Sequence, residues 1–212
     1  MRILKWRVPP YDNGTYIVVD DRRDALLIDP AMGERLVIDA VKEQRLHLVE
    51  ILNTHGHPDH IYGNAAVKEA TKARLAIHRL DAYRLGPERP PTTLPIPPCD
   101  ADDEFDEGAL SYVADLKVTA LHTPGHTEGS TCFYFEADRA LFSGDVLFQG
   151  STGRWDLPGG DREQMERSLE RVATLPPETK VYPGHGAITT IADELPTLRY
   201  LREAGVLPGL RF

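Results

Sequence analysis

Short runs of apolar residues at 2–8, 14–20 and 24–29 predict three strands. Turn signals separate them at Pro9-Pro10, Asp12-Asn13-Gly14 and Asp20-Asp21, and Asp29-Pro30 ends the third. Residues 33–45 carry Leu36, Val37, Ile38, Ala40 and Val41 among charges, the pattern of an amphipathic helix. The run Leu48-Val49-Glu50-Ile51-Leu52 predicts a strand over 48–53. Tyr62 to Lys72 reads as a helix with Ala65, Ala66, Val67 and Ala70 facing inward, Arg74 to Ile77 as a short strand, and Leu80 to Leu85 as a helical turn or two.

Gly86 to Pro98 holds six prolines in thirteen residues, so it is an extended loop, either a rigid spacer or a rim over a site. Residues 103–122 read as strands around a turn, and 131–136 with 139–143 as a hairpin turning at Ala137-Asp138. Val146 to Gly160 is a glycine-rich loop. Asp161 to Thr174 opens on an Asp N-cap and carries Met165, Leu169, Val172 and Ala173 at helical spacing. A strand ends at Val181-Tyr182, and residues 190–204 predict one or two helices broken at Pro196. Periodicity alone gives a chain of mixed helices and strands, α/β or α+β.

A chain of 212 residues, 41% hydrophobic and 27% charged, suits one compact domain spanning 1–212. The net charge of −9 argues against a nucleic-acid partner, which needs a basic face. The N-terminus lacks the apolar core of a signal peptide, and no apolar run is long enough for a membrane span. Two cysteines, Cys99 and Cys132, make no disulfide framework, and Cys132 within Thr131–Phe135 reads as a buried strand residue. A cytoplasmic protein is the expectation.

The chemistry concentrates after the strand at 48–53. Thr54-His55-Gly56-His57-Pro58-Asp59-His60 places four potential metal ligands within six residues. Neutral imidazole is the commonest protein metal ligand, and imidazole with carboxylate suits zinc, iron or manganese. A polar loop that is merely rich in histidine leaves this spacing unexplained. Of the other histidines, His47 and His78 read as surface residues, and His122 as a group supporting a neighbouring ligand.

This His-x-His-x-Asp-His run after a buried strand resembles the signature of the metallo-β-lactamase-fold hydrolases. Three further segments resemble the family's remaining motifs, in family order: Thr123-Pro124-Gly125-His126-Thr127-Glu128-Gly129-Ser130, Phe142-Ser143-Gly144-Asp145 and Tyr182-Pro183-Gly184-His185-Gly186. The resemblance implies an α+β fold, a four-layer αββα sandwich of two mixed sheets with helices outside. It implies two divalent metal ions per chain, zinc first, with iron or manganese as alternatives. His55, His57 and His126 would hold one ion, Asp59, His60 and His185 the other, and Asp145 would bridge them. Asp59 would also orient the metal-bridging hydroxide that attacks the substrate. A bridging Asp departs from those β-lactamases that place a cysteine in the second site, which counts against antibiotic hydrolysis.

The loop Gly150–Gly160 resembles its counterpart in short glyoxalase II-like proteins, of hydroxyacylglutathione hydrolase type. That branch implies hydrolysis of S-D-lactoylglutathione or a similar small thioester. Arg154 stands near a lysine that contacts the glutathione carboxylate in full-length enzymes, and its guanidinium could grip a carboxylate bidentately. A salt bridge from Arg154 to Asp156 is the structural alternative. Only 27 residues follow His185, so the helical extension that completes the glutathione site is expected to be missing. The segment Gly153-Arg154-Trp155-Asp156 also resembles mononuclear iron persulfide dioxygenases, a second reading. Hydrolysis of another ester or lactone is a third. A metal-binding protein without catalysis is a fourth, which a complete set of seven ligands disfavours.

Overall fold

The structure is a computed structural model and describes residues 1–113, 115–207 and 209–212. Ala114, within the span 103–122 where strands around a turn are expected, and Pro208 lie outside the described residues. Among the described residues, two six-stranded sheets form the frame. The first takes β1 (Arg2–Val8), β2 (Asn13–Val19), β3 (Asp24–Ile28), β4 (His47–Asn53), β5 (Arg74–His78) and β6 (Asp103–Phe105), in that spatial order. Its first two pairings are antiparallel, and those from β3 to β6 are parallel. The second sheet takes β7 (Gly108–Val113), β8 (Leu116–His122), β9 (Thr131–Phe135) and β10 (Ala140–Gly144). A small hairpin of β11 (Leu147–Phe148) and β12 (Ser151–Thr152) follows, and then β13 (Lys180–Pro183) and β14 (Thr189–Thr190) complete the second sheet. There β10 and β13 run parallel and the remaining pairings are antiparallel.

The period of two along each strand sorts side chains into layers. On β2, Ile17 and Val19 face the helix side, while Tyr16 and Val18 face the other sheet. Helices α1 (Glu34–Glu43) and α3 (Asn64–Thr71) cover the first sheet through Val37, Val41 and Val67. Helices α4 (Arg162–Ala173) and α5 (Ile191–Glu203) cover the second through Met165, Leu169, Val172, Ile191 and Leu198. Between the sheets lie Leu26, Ile28 and Leu52 against Phe133, Phe135 and Phe142. The result is the αββα sandwich, with both faces of the central strands buried, as parallel strands require. No helix among the described residues is long and apolar enough to cross a membrane.

Two local expectations are corrected, at Pro196 and at His78. The helix expected over Tyr62–Lys72 is α3, and a one-turn α2 (Pro58–Ile61), with Pro58 at its first position, precedes it. Proline there has no N–H to lose and a φ already suited to a helix. Helix α5 runs unbroken through Pro196, because Ile191 and Leu198 anchor it in the core on either side. His78 is buried, 2% exposed, where it caps the turn Arg79–Leu85 and stacks on His122 at 4.2 Å; His47 is exposed. Asp161 does cap α4, accepting from the Gln164 amide at 2.8 Å.

β4 has one irregular position. Ala25 pairs with Leu48 but Leu26 pairs with Glu50, so Val49 is an extra residue in the ladder. The shift turns Glu50 toward the space between the sheets, where it is fully buried and neither carboxyl oxygen has a hydrogen-bond partner.

Candidate metal centre

The site forms where strands of both sheets end together. β4 delivers His55 and His57, and α2 carries Asp59 and His60. The loop between β8 and β9 brings His126, the end of β10 brings Asp145, and the end of β13 brings His185. Backbone bonds lock these ends to one another: Thr131 N to Thr54 O at 2.9 Å, Gly184 N to Gly144 O at 2.8 Å, and Gly14 N to Gly184 O at 2.7 Å. Gly184 has to be glycine, since a Cβ there would press on Asp145 Oδ1 and lie 2.8 Å from His60 Cε1.

The seven side chains singled out from the sequence converge. One ligand atom each from His55, His57 and His126 lies within 4.8 Å of the others, and the same holds for Asp59, His60 and His185. Asp145 stands between the trios. Its Oδ2 is 3.5 Å from His126 Nε2 and 3.4 Å from His185 Nε2, and its Oδ1 is 3.3 Å from His60 Nε2.

Hydrogen bonds on the outer side of the rings fix which nitrogen faces inward. His60 Nδ1 donates to Asp29 Oδ2 (2.8 Å), His126 Nδ1 to the Arg154 carbonyl (2.7 Å) and His185 Nδ1 to the Tyr11 carbonyl (2.7 Å). Thr54 Oγ1 donates to Asp29 (2.6 Å) and therefore accepts from His55 Nδ1 (3.0 Å). The four Nε2 lone pairs are left pointing into one space, which His57 enters through Nδ1, 2.8 Å from His126 Nε2. His55 Nε2 and Asp145 Oδ1 are buried without any protein hydrogen-bond partner. Buried acceptors are normally satisfied, and lone pairs cannot satisfy one another. Divalent cations do satisfy them, and imidazole with carboxylate is a donor set that fits zinc, iron or manganese.

The electrostatics agree. Burial, reinforced by neighbouring imidazoles, holds His55 well below its ordinary pKa and lowers His57 to about 3, so both stay neutral, as ligands must be. Burial also opposes charge on His60 and His185, but the surrounding carboxylates outweigh it. Asp145, Asp59 and Asp29 raise His60 well above its usual value; hydrogen bonds to Asp145 and Asp59 raise His185 to about 10. Burial works against the Asp145 carboxylate too, yet His60 and His185 hold its pKa well down. The carboxylates around the second trio thus favour a positive charge there.

Several residues that the sequence did not single out hold this arrangement. Asn13 donates to Asp59 Oδ2 at 2.9 Å. Asp81, fully buried, accepts from Gly56 N (2.7 Å), Thr127 Oγ1 (2.8 Å) and Gly129 N (2.8 Å), tying the first ligand loop to the second. Arg84, 1% exposed, lies 3.3 Å from Asp81 and donates to Glu128 (2.6 Å) and to the Pro158 carbonyl (2.9 Å), which adds the glycine-rich loop to the clamp. His122 donates to or accepts from no ligand; its Nε2 bonds the Glu128 carbonyl at 2.9 Å. The Arg154 side chain is exposed and paired with Asp156 at 2.7 and 2.8 Å, while its carbonyl is the group that orients His126.

Comparison with known proteins follows the same lines. The model of the metallo-beta-lactamase superfamily matches residues 10–185. A hydroxyacylglutathione hydrolase of Pelagibacter ubique (strain HTCC1062) is 35% identical over 175 residues, covering 82% of this chain and 66% of that protein. The crystal structure of the BLEG-1 B3 metallo-beta-lactamase superposes with a TM-score of 0.81 at 32% identity, covering 94% of this chain and 99% of that one. That of TTHA1623 in a di-iron-bound form gives 0.80 at 33% identity, covering 93% and 100%. Through motif order, layer architecture and a family match over most of its length, the chain belongs to the metallo-beta-lactamase superfamily.

Proposed function

We propose that this protein is a metal-dependent thioester hydrolase of glyoxalase II type, acting on S-D-lactoylglutathione or a similar small thioester. The observation that carries the reading is Asp145, within 3.5 Å of candidate ligand nitrogens in both trios, where one carboxylate could serve two ions. Bound there, two divalent ions would supply an activated water and an electrophile for the carbonyl oxygen.

The chain's own groups do the rest. His55, His57 and His126 offer neutral nitrogens on one side, and Asp59, His60 and His185 offer a second, more anionic set. Asp59, held by Asn13, keeps a carboxylate edge beside His185 Nε2 at 3.3 Å, where it would orient an attacking water. Arg154 is the candidate for a substrate carboxylate. Its pairing with Asp156 lies on the exposed surface, where an ion pair contributes little, so exchanging Asp156 for a substrate carboxylate costs little.

The test is metal content per chain on anaerobically purified protein, followed on the same sample by S-D-lactoylglutathione hydrolysis. Two ions with thioester cleavage support the reading. One iron, no cleavage, and oxygen uptake with glutathione persulfide assign the chain to persulfide oxidation instead. Cleavage of a β-lactam in place of the thioester also overturns it.

A further inference from the structure

Beside the metal-ligand cluster lies a cavity of about 210 Å³, and His57 forms part of its wall. Pro58, Pro90, Pro91, Leu157 and Pro158 supply most of the rest. The proline-rich segment is therefore a wall of the site rather than a spacer elsewhere on the surface.

This wall is fixed in place before any ligand arrives. Ile96 is buried, 7% exposed, in the core between α1, α3 and the first sheet, and Leu94, Cys99 and Ala101 pack against that same core. Arg89 spans the segment, donating Nη1 to the Leu85 carbonyl and Nη2 to the Ile96 carbonyl, each at 3.3 Å. The prolines between these anchors hold φ near one value, so little conformational freedom remains to be lost on binding.

The chemistry of the lining is apolar, and its two cations are already engaged. Arg84 faces the carboxylates of both Asp81 and Glu128. Arg89 turns both terminal nitrogens to backbone carbonyls, so the fork that would clamp a carboxylate is occupied. The volume is below the roughly 300 Å³ at which pockets for drug-sized ligands begin. We infer that this cavity is a specificity pocket for a short, uncharged alkyl or aryl arm of the substrate. The inference rests on the hydrolase reading and narrows it: one flank of the substrate is apolar, unlike the charged peptide of glutathione.

The test uses the full metal-loaded chain and two readouts. The first is hydrolysis of N-acetylcysteamine thioesters with acetyl, butyryl, hexanoyl, dodecanoyl and glutaryl groups. The second is calorimetric binding of the matching non-hydrolysable thioethers. The expected result is a preference for butyryl or hexanoyl over glutaryl of tenfold or more in kcat/KM and in Kd. Leu157→Asp should remove that preference at unchanged metal content, and Leu157→Met should restore it. Equal or better handling of the glutaryl compounds, or an unchanged preference in Leu157→Asp, overturns the pocket assignment. If no thioester is cleaved while the thioethers keep the expected binding order, the pocket stands and the hydrolase reading falls.

Discussion

Asp29 and His60 form a fully enclosed pair: His60 Nδ1 lies 2.8 Å from Asp29 Oδ2, and neither side chain is more than 2% exposed. The same carboxylate accepts from the Thr54 amide and hydroxyl, so it orients His60 directly and His55 through Thr54. Partners of this kind typically contribute tenfold to a hundredfold in metal affinity. Asp29→Asn should weaken metal binding by about that factor, with the larger loss at the trio containing His60. Titration of the apoprotein with zinc or iron reads this out, and unchanged affinity would show that Asp29 merely fills space.

Asp145 is the residue on which the proposed two-ion arrangement depends. Asp145→Ala should abolish thioester turnover and lower the metal content below two per chain, while circular dichroism stays that of a folded protein. His55→Ala should act alike. Near-normal turnover in an Asp145→Ala sample of verified metal content would sink the assignment.

The Asp81–Arg84 pair predicts a stability effect away from the ligands. Breaking a buried ion pair by removing one partner strands the other and costs about 3–5 kcal/mol. Arg84→Met should destabilise by that order, because the buried Asp81 is left without its cation. Adding Asp81→Asn should recover part of the loss, since the two residues share one network. Denaturant unfolding of the single and double variants checks the coupling, and simple additivity would contradict it.

Glu50 predicts a pH dependence. Burial, followed by the nearby Asp103, raises its pKa from 4.5 to about 8. The folded state therefore favours the neutral acid. Its contribution is fully present below about 4.5 and is lost progressively as pH rises to about 8, because the unfolded chain ionises first. Glu50→Gln cannot ionise, so it should become more stable than the parent chain across that window, by a few kcal/mol at the alkaline end. Melting midpoints of both proteins from pH 4 to 9 decide it. Parallel curves would mean that Glu50 finds a partner on ionising.

The order of elements was legible because each strand and helix carried its own period. Ile17 and Val19 against Tyr16 and Val18 on β2 announce a strand buried on both faces. The clustering of His55, His57, Asp59 and His60 was legible from their spacing, whereas His126, Asp145 and His185 stood out only through the family resemblance. What was hidden depends on distance in the chain. Asp29 looked like a strand terminator beside Pro30, and its contact with His60 lies 31 positions away. Asp81 and Arg84 sat inside a short helical stretch, with nothing local to distinguish them from solvent-facing charges. Their partners Thr127, Glu128 and Pro158 come together only when the second sheet closes on the first. His78 reads as a surface residue for the same reason, because its stacking partner His122 belongs to the other sheet. Pro196 signals a break that α5 does not have, because tertiary packing outweighs local propensity there.

The candidate ligands also divide by sheet. His55, His57, Asp59 and His60 follow strands of the first sheet, and His126, Asp145 and His185 follow strands of the second. A cut between Phe105 and Gly108 would leave neither fragment with all three members of either trio. An ion bound by these residues would act as a rivet driven through the seam, and two separately made halves could hold it only after docking in the correct register. Metal retention by such a split protein would then be a record of its own assembly.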